Sequence, residues 1–472
     1  MSRHSEPSEA DRSRVAKPPG GTLAGLLWLG PMLMLLGAAV GSGELVAEPV
    51  AGAKYGPTLL WAILAIVLTK AIWNEAIGRV AIATGQNFLE SCSGAGPLLA
   101  WVPWVWYVVN AMKDFLLRGG IVAIAGLICY DVFGSFTLIA DYLPEKHHHV
   151  VAWTVVNYVL IWVLLAVGGY GTAERVNAVL CVLFTLCLMV CAAVVLPGAM
   201  DTLASGLKPE IPTNGEELLM LVTLTGIVMA GSTTVYYSAW AEQLGMGLFG
   251  PIKRTGRRIT VDEMQPESDE EIRRVHGWLR VNRMNVALTY LLGAAVCLST
   301  FILGVVVLRP EGVTLEGPEL APELSLMMTK VAGPWAKSVF YIGACAAVLS
   351  TAIGVLDGGS RMYVQPIRRA TPALFARLSF ASWQKLIMTG MVVGCLWIYI
   401  LVPKPVTLIL WMGAIDAPLV GMLMIAYAYL GRWYLPPAYR YGVAWSLVML
   451  VIGVLYLALG GYFFFVQVTA VT

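Results

Sequence analysis

Charge is the scarcest property of this 472-residue chain: Asp, Glu, Lys and Arg make up 13% of it, against 58% hydrophobic residues and a mean hydropathy of +0.74. Soluble domains carry roughly 25% charge, so a water-facing fold around one buried core is excluded. An excess of one sign is lacking too. Lys and Arg number 31 against 29 Asp and Glu, no basic reading module is visible, and nucleic acid is not an implied partner. The eight cysteines (Cys92, Cys129, Cys181, Cys187, Cys191, Cys297, Cys345, Cys395) have neither CxxC nor zinc-type spacing, and read as small core residues of apolar runs. HExxH, GxSxG and phosphate-loop patterns are missing, so an enzyme is not expected and no cofactor is implied. Residues 1–22 are polar and rich in Ser and Pro, without the apolar centre of a signal peptide, and are expected to be a disordered tail.

What the chain has is apolar length. Runs of about 20 apolar residues, each enough to cross about 30 Å of hydrocarbon, recur almost throughout. Spans are expected near 23–54, 57–84, 98–128, 150–168, 173–197, 217–245, 278–308, 334–360, 383–402, 405–430 and 441–466. The lipid bilayer is therefore the first partner, and the fold class is an all-α integral membrane protein. With the tail in the cytoplasm, alternate loops place Arg79, Arg175, the cluster Lys253 to Arg280, the group Arg361 to Lys385, Arg432 and Arg440 inside. The opposite loops carry Asp131, Asp141, Asp201, Glu210, Glu311, Glu316 and Glu319. That asymmetry suits an odd number of spans, with the C-terminus outside a bacterial inner or plasma membrane.

Two spans are not built like simple membrane anchors. The first reads GPMLMLLGAAVGSGELVAEPVAGAKYG, with Gly41, Ser42 and Gly43 in its middle, then Glu44, Glu48 and Pro49. Gly costs about 1 kcal/mol in a helix interior, Pro about 3, and a central carboxylate about 2.5 to 3.5. The sixth span reads LVTLTGIVMAGSTTVYYSAWAEQ and is interrupted at similar depth by Gly226 and by Ala230 to Thr234. Paired interruptions five spans apart point to an inverted-repeat transporter with its site at the midplane, where unwound carbonyls serve as ligands. Close packing of small residues is the competing explanation for either break alone.

Other ionisable groups fall inside spans: Lys70, Glu75, Lys113, Asp114, Arg118, Asp357 and Asp416. Glu75 with Arg79 and Asp114 with Arg118 are four apart, so each pair can meet on one helix face, for structure or for a proton path. Asp416, two residues before Pro418, has no local partner and reads as a site or gate residue. His147, His148 and His149 lie in an expected outside loop, which could gather metal but is better explained by solvation. Tyr236, Tyr237 and Trp240 read as packing or interface aromatics.

At these residues the sequence resembles the Nramp family of divalent-metal transporters, which have a LeuT-type fold. AGAKYGPTLLW (Ala51 to Trp61) and GRVAIATGQNFLE (Gly78 to Glu90) look like that family's first and second spans, and YSAW closes the sixth less closely. The resemblance implies two inverted five-span repeats, 23–197 and 217–430, with an extra helix at 441–466, all in one transporter domain over 23–466. It also places the departures on the site. The family binds metal through the Asp and Asn of a DPGN motif; the matching residues here are Gly41 and Glu44, in GSGE. A sixth-span Met ligand corresponds to Ala230 and a carbonyl ligand to Ile227. Asp114 matches a third-span carboxylate of the family's proton path, beside Leu117 where the family has a second acid.

The resulting expectation is a secondary active transporter, a symporter where protons are coupled, whose cargo is a divalent cation. Gly41, Ser42, Gly43, Glu44, Ile227, Ala230 and Thr233 would bind it, and Glu48, Glu75, Asp114, Arg118 and Asp416 would carry protons or gate. Loss of the sulfur favours hard cations, Mg²⁺ or Mn²⁺. The alternatives are an amino-acid-like solute held by backbone N–H groups near Gly43 and Ser232, and a receptor or scaffold acting through the cytoplasmic loop 246–277, which reads first as a mobile connection. No protein partner is implied.

Overall fold

Backbone polar groups cannot be left unpaired in hydrocarbon, and this chain satisfies them within helices. The computed structural model describes residues 14–21, 43–139, 142–167, 170–313, 315–316 and 319–471, with the isolated positions 25, 28, 37 and 41. Among the described residues there is no strand. The longer helices are α1 (Glu48–Tyr55), α2 (Leu60–Thr84), α3 (Phe88–Gly94), α4 (Val102–Met112), α5 (Gly119–Phe133), α6 (Lys146–Val167) and α7 (Tyr170–Val195). They continue as α8 (Gly215–Ile227), α9 (Tyr237–Leu244), α10 (Asp269–Leu303), α11 (Leu320–Ala332), α12 (Ala336–Ala370), α13 (Phe380–Leu401), α14 (Pro405–Tyr429) and α15 (Val443–Val471).

Local chemistry sets the boundaries. Gly85 ends α2 in the left-handed conformation, and Asn87 with Glu90 forms a reciprocal capping box that starts α3. Ser268 caps α10, whose first turn holds Asp269, Glu270 and Glu271 against the positive end of the helix.

Among the described residues, nine helical runs are long and apolar enough to cross a membrane. α7 covers the expected fifth span, whereas most of the expected first span, up to residue 40, lies outside the described residues. The run through α8 and α9 is the centre of the bundle: 94% of its most apolar window is buried, against 28% for α6, α13 and α15. α14 packs along α8 and α15, α10 along α2, and α12 along α7 and α13. Leu68, Val108 and Val454, with Trp101, Trp335, Trp397 and Trp433, are exposed on the outside, a surface suited to lipid and its interface rather than to water.

Three expectations for connecting segments change. His147, His148 and His149 sit on the first turn of α6 rather than in a loop, and His149 is buried, its Nδ1 accepting from Phe136 N–H at 3.1 Å. Segment 246–277 is partly helical, with a short helix at Phe249–Thr255 and the first turns of α10. The tail expected to be disordered over 1–22 is docked at Arg14 to Ala16. Arg14 bonds Glu271, Val15 is buried, and Trp278 Nε1 donates to Ala16 O at 2.8 Å. Residues 1–13 lie outside the described residues.

Candidate functional site

The sixth-span interruption is real and sharp. Helix α8 stops at Ile227; Met229 (φ 54°), Ala230 (φ 73°) and Gly231 (φ 55°) turn left-handed; helical geometry resumes towards α9. A side chain costs roughly 1–2 kcal/mol in that region, which Met229 and Ala230 both bear. At Gly231 an added Cβ would clash with the Asp416 carboxylate and with Gly226 O. Opposite this break runs the first span, with Gly41 in a turn and Gly43–Ala47 in a widened π turn leading into α1. The backbones nearly touch: a Cβ on Gly43 would lie 3.3 Å from Val228 Cα. Ser42 lies outside the described residues.

Glu44 bridges the two breaks. Its Oε1 accepts from Met229 N–H at 2.8 Å, and it is fully buried. One turn on, Glu48 is equally buried, and its Oε2 accepts from Thr300 Oγ1 of α10 at 2.7 Å. Glu44 Oε2 and Glu48 Oε1 have no hydrogen-bond partner. One ligand atom each from Glu44, Glu48 and Cys297 of α10 falls within 4.8 Å of the others. Two carboxylates about 5 Å apart repel by about 3 kcal/mol at an effective dielectric constant of about 20, which is a strong demand for positive charge.

Part of that charge is built in. Lys70 of α2, fully buried, donates from Nζ to Gly226 O at 2.8 Å and to Val228 O. The carbonyls freed by the sixth-span break therefore hold an ammonium. Ala230 O accepts from the Thr233 hydroxyl. On the far side of the break, Lys113 donates to Ser232 Oγ at 2.8 Å and to Asp416 Oδ1, while Asp416 Oδ2 accepts from Ser232 N–H at 3.0 Å. Asp416, without a partner in its local sequence, finds its partners in the third span and in the break itself.

A polar chain continues from there. Ser232 Oγ donates to Asn110 Oδ1 at 3.2 Å, and Asn110 Nδ2 donates to Asp114 Oδ2 at 3.0 Å. Asp114 also accepts from Arg118, from the Tyr236 hydroxyl and, at 2.8 Å, from the Tyr363 hydroxyl. The pairing of Asp114 with Arg118 follows the expected four-residue spacing, as does Glu75 with Arg79 at 2.8 Å. Glu75 stands apart from this chain, taking the hydroxyl of Tyr441, just before α15, as a further donor.

The structure brings Gly43, Glu44, Ile227, Ala230 and Thr233 to the facing breaks, with Glu48 a turn away. Sequence reasoning missed Cys297 and Thr300 as neighbours of Glu48 and Lys70 as the group at the freed carbonyls. It also took Tyr236 and Trp240 for packing, whereas Trp240 Nε1 donates to Asp357 at 3.2 Å. Only the intramembrane position of Lys70 was a signal.

Two spans interrupted at the buried centre of an all-helical bundle define an integral membrane protein of LeuT-type fold. The Nramp family description, natural resistance-associated macrophage protein-like, matches residues 32–466, and the chain belongs to that family. A Granulibacter bethesdensis protein, divalent metal cation transporter MntH, is 31% identical over 115 residues, 24% of this chain and 26% of that one, so the match spans about a quarter of the relative. The Deinococcus radiodurans protein of the same name is 24% identical over 345 residues, 72% of this chain and 69% of its own. The crystal structure of the Eremococcus coleocola manganese transporter, in complex with an aromatic bis-isothiourea substituted compound, superimposes with a TM-score of 0.67 over 96% of this chain and 90% of that one, at 13% identity, a likeness of fold.

Proposed function

We propose that the protein carries a divalent metal cation, Mg²⁺ or Mn²⁺, across the membrane by alternating access, with Glu44 as the anionic ligand between the two breaks. One observation carries this: Glu44 ties the breaks together through Met229 N–H, and its second oxygen is buried without a partner. A divalent cation is the kind of ligand that repays such a group. The named function of the MntH relatives and of the manganese transporter supports the reading. On the sixth-span side, Ala230 offers no sulfur, which leaves oxygen donors there. The polar chain from Asp416 through Ser232 and Asn110 to Asp114 supports a proton route beside the cargo. The loop charges support a cytoplasmic N-terminus.

An organic anion is disfavoured by the same geometry. The N–H groups that would hold its carboxylate, at Met229 and Ser232, are already bound by Glu44 and Asp416.

Purified protein in proteoliposomes is expected to accumulate Mn²⁺ or Mg²⁺ under an inward pH gradient. Glu44→Gln, which keeps an acceptor for Met229 N–H but removes the charge, should reduce uptake at least about tenfold, the equivalent of about 1.4 kcal/mol. Uptake unchanged by Glu44→Gln would remove Glu44 from the site.

A further inference from the structure

We infer that the cation site has three protein ligands, Glu44, Glu48 and Cys297, and that its thiolate selects a transition dication such as Mn²⁺ over Mg²⁺. The inference rests on the reading that the chain binds a divalent cation, and narrows it.

The three residues come from two spans that touch, the π turn with α1 on one side and α10 on the other. Glu44 and Glu48 are four apart across the π turn and α1, so their side chains share a face. Cys297 and Thr300 are three apart on α10 and face them. Each carboxylate is oriented through one oxygen, Glu44 by Met229 N–H and Glu48 by the Thr300 hydroxyl, leaving the other oxygen open in a fully buried place. Orientation of ligands by outer hydrogen bonds is how metal sites are held ready. One carboxylate oxygen from each Glu and the Cys297 sulfur converge within 4.8 Å, a triangle that small side-chain shifts close around an ion bound at about 2.0–2.3 Å.

Charge and chemistry agree. With a dication bound, Glu44 and Glu48 would supply two negative charges and Lys70, held at Gly226 O and Val228 O, one positive charge beside them. A dication that displaces the thiol proton of Cys297 to the medium leaves two positive charges on the ion against two carboxylates and one thiolate, with Lys70 balancing the third. The ion cannot use the carbonyls of Gly226 and Val228 while Lys70 fills them, so the cargo is shifted from the sixth-span break towards α10. Mg²⁺ demands oxygen ligands in octahedral geometry and retains its waters; a thiolate in the donor set turns preference to softer dications.

The test is titration of the full-length protein in detergent with Cd²⁺ and Co²⁺, read by thiolate-to-metal charge-transfer absorption, with Mn²⁺ and Mg²⁺ as competitors. The wild type is expected to show the band, Mn²⁺ to suppress it and equal Mg²⁺ to leave it. Cys297→Ser is expected to lose it, and Glu48→Gln to weaken Cd²⁺ binding about tenfold or more, with thermal unfolding confirming that both variants are folded. A band that persists in Cys297→Ser, or equal displacement by Mg²⁺ and Mn²⁺, overturns the proposal. Metal binding that depends on these residues without uptake in proteoliposomes upholds the site and refutes transport. Mn²⁺ uptake indifferent to Cys297→Ser and Glu48→Gln upholds transport and refutes the site.

Discussion

Lys113 and Asp416 show how strongly single residues are bound to distant ones here. Both are buried, and each satisfies the other across 303 positions of sequence. Removing one partner strands a charge in a medium that cannot solvate it, at a cost of about 3–5 kcal/mol; removing both costs far less. Lys113→Met is therefore expected to lower the thermal unfolding temperature in detergent markedly, and Asp416→Asn in the same chain to restore most of the loss. Additive effects of the two substitutions would show that the pair is not energetically coupled. The same distance explains what could be read beforehand. That Lys70, Lys113 and Asp416 lie in the membrane was legible from the apolar runs around them. Their partners were not, because Lys70 meets Gly226 156 residues away and no periodicity reports such a contact. The pairs Glu75 with Arg79 and Asp114 with Arg118 were legible because both partners lie on one helix.

For elements, the instructive case is the turn between α8 and α9. Gly226 and the Gly231-Ser-Thr-Thr run announced it, since small and hydroxylated residues inside an apolar helix weaken it. Its geometry was hidden: the left-handed residues include Met229 and Ala230, which ordinarily avoid φ near +54° and +73° and are held there by Glu44, Asp416 and Lys70 through their bonds to the surrounding backbone. Helix α11 and the early start of α10 were hidden for another reason: charged, amphipathic helices at a membrane surface look like loops when apolar runs are the guide. Gly231 is the position where sequence and geometry meet. Gly231→Ala would add a Cβ against Asp416 in a conformation that already disfavours it, with a destabilisation of about 1–3 kcal/mol and loss of transport as the expected result. Gly198→Ala, where a Cβ meets nothing within 4 Å, is the matched control and is expected to behave as wild type. Equal melting temperatures for the two variants would mean that the turn tolerates rearrangement.

At the scale of the whole molecule, one helix connects the tail to the centre. α10 carries Glu271 and Trp278 near its start, which hold Arg14 and Ala16, and carries Cys297 and Thr300 beside Glu48 near its end. Arg14 is fixed by more than an ion pair. Its guanidinium reaches Glu271 at 3.1 Å, Glu263 O at 3.1 Å and Gln265 O at 3.0 Å, and Arg274 donates to Val15 O at 3.0 Å. Ion pairs at the surface contribute about 1 kcal/mol at most, but Val15 is 1% exposed, so apolar burial adds to the hold. Glu271→Gln removes the charge that Arg14 grips while keeping the shape of the side chain. Loss of up to about 1 kcal/mol raises the population of the released tail by a factor of up to about 5. Trypsin cuts after Arg14 only when the segment leaves α10, so the rate at which chains beginning at Val15 appear by mass spectrometry should rise by that factor in the variant. The same rate in both proteins would mean that Arg14 adds nothing to a tail held by Val15 and Ala16 alone.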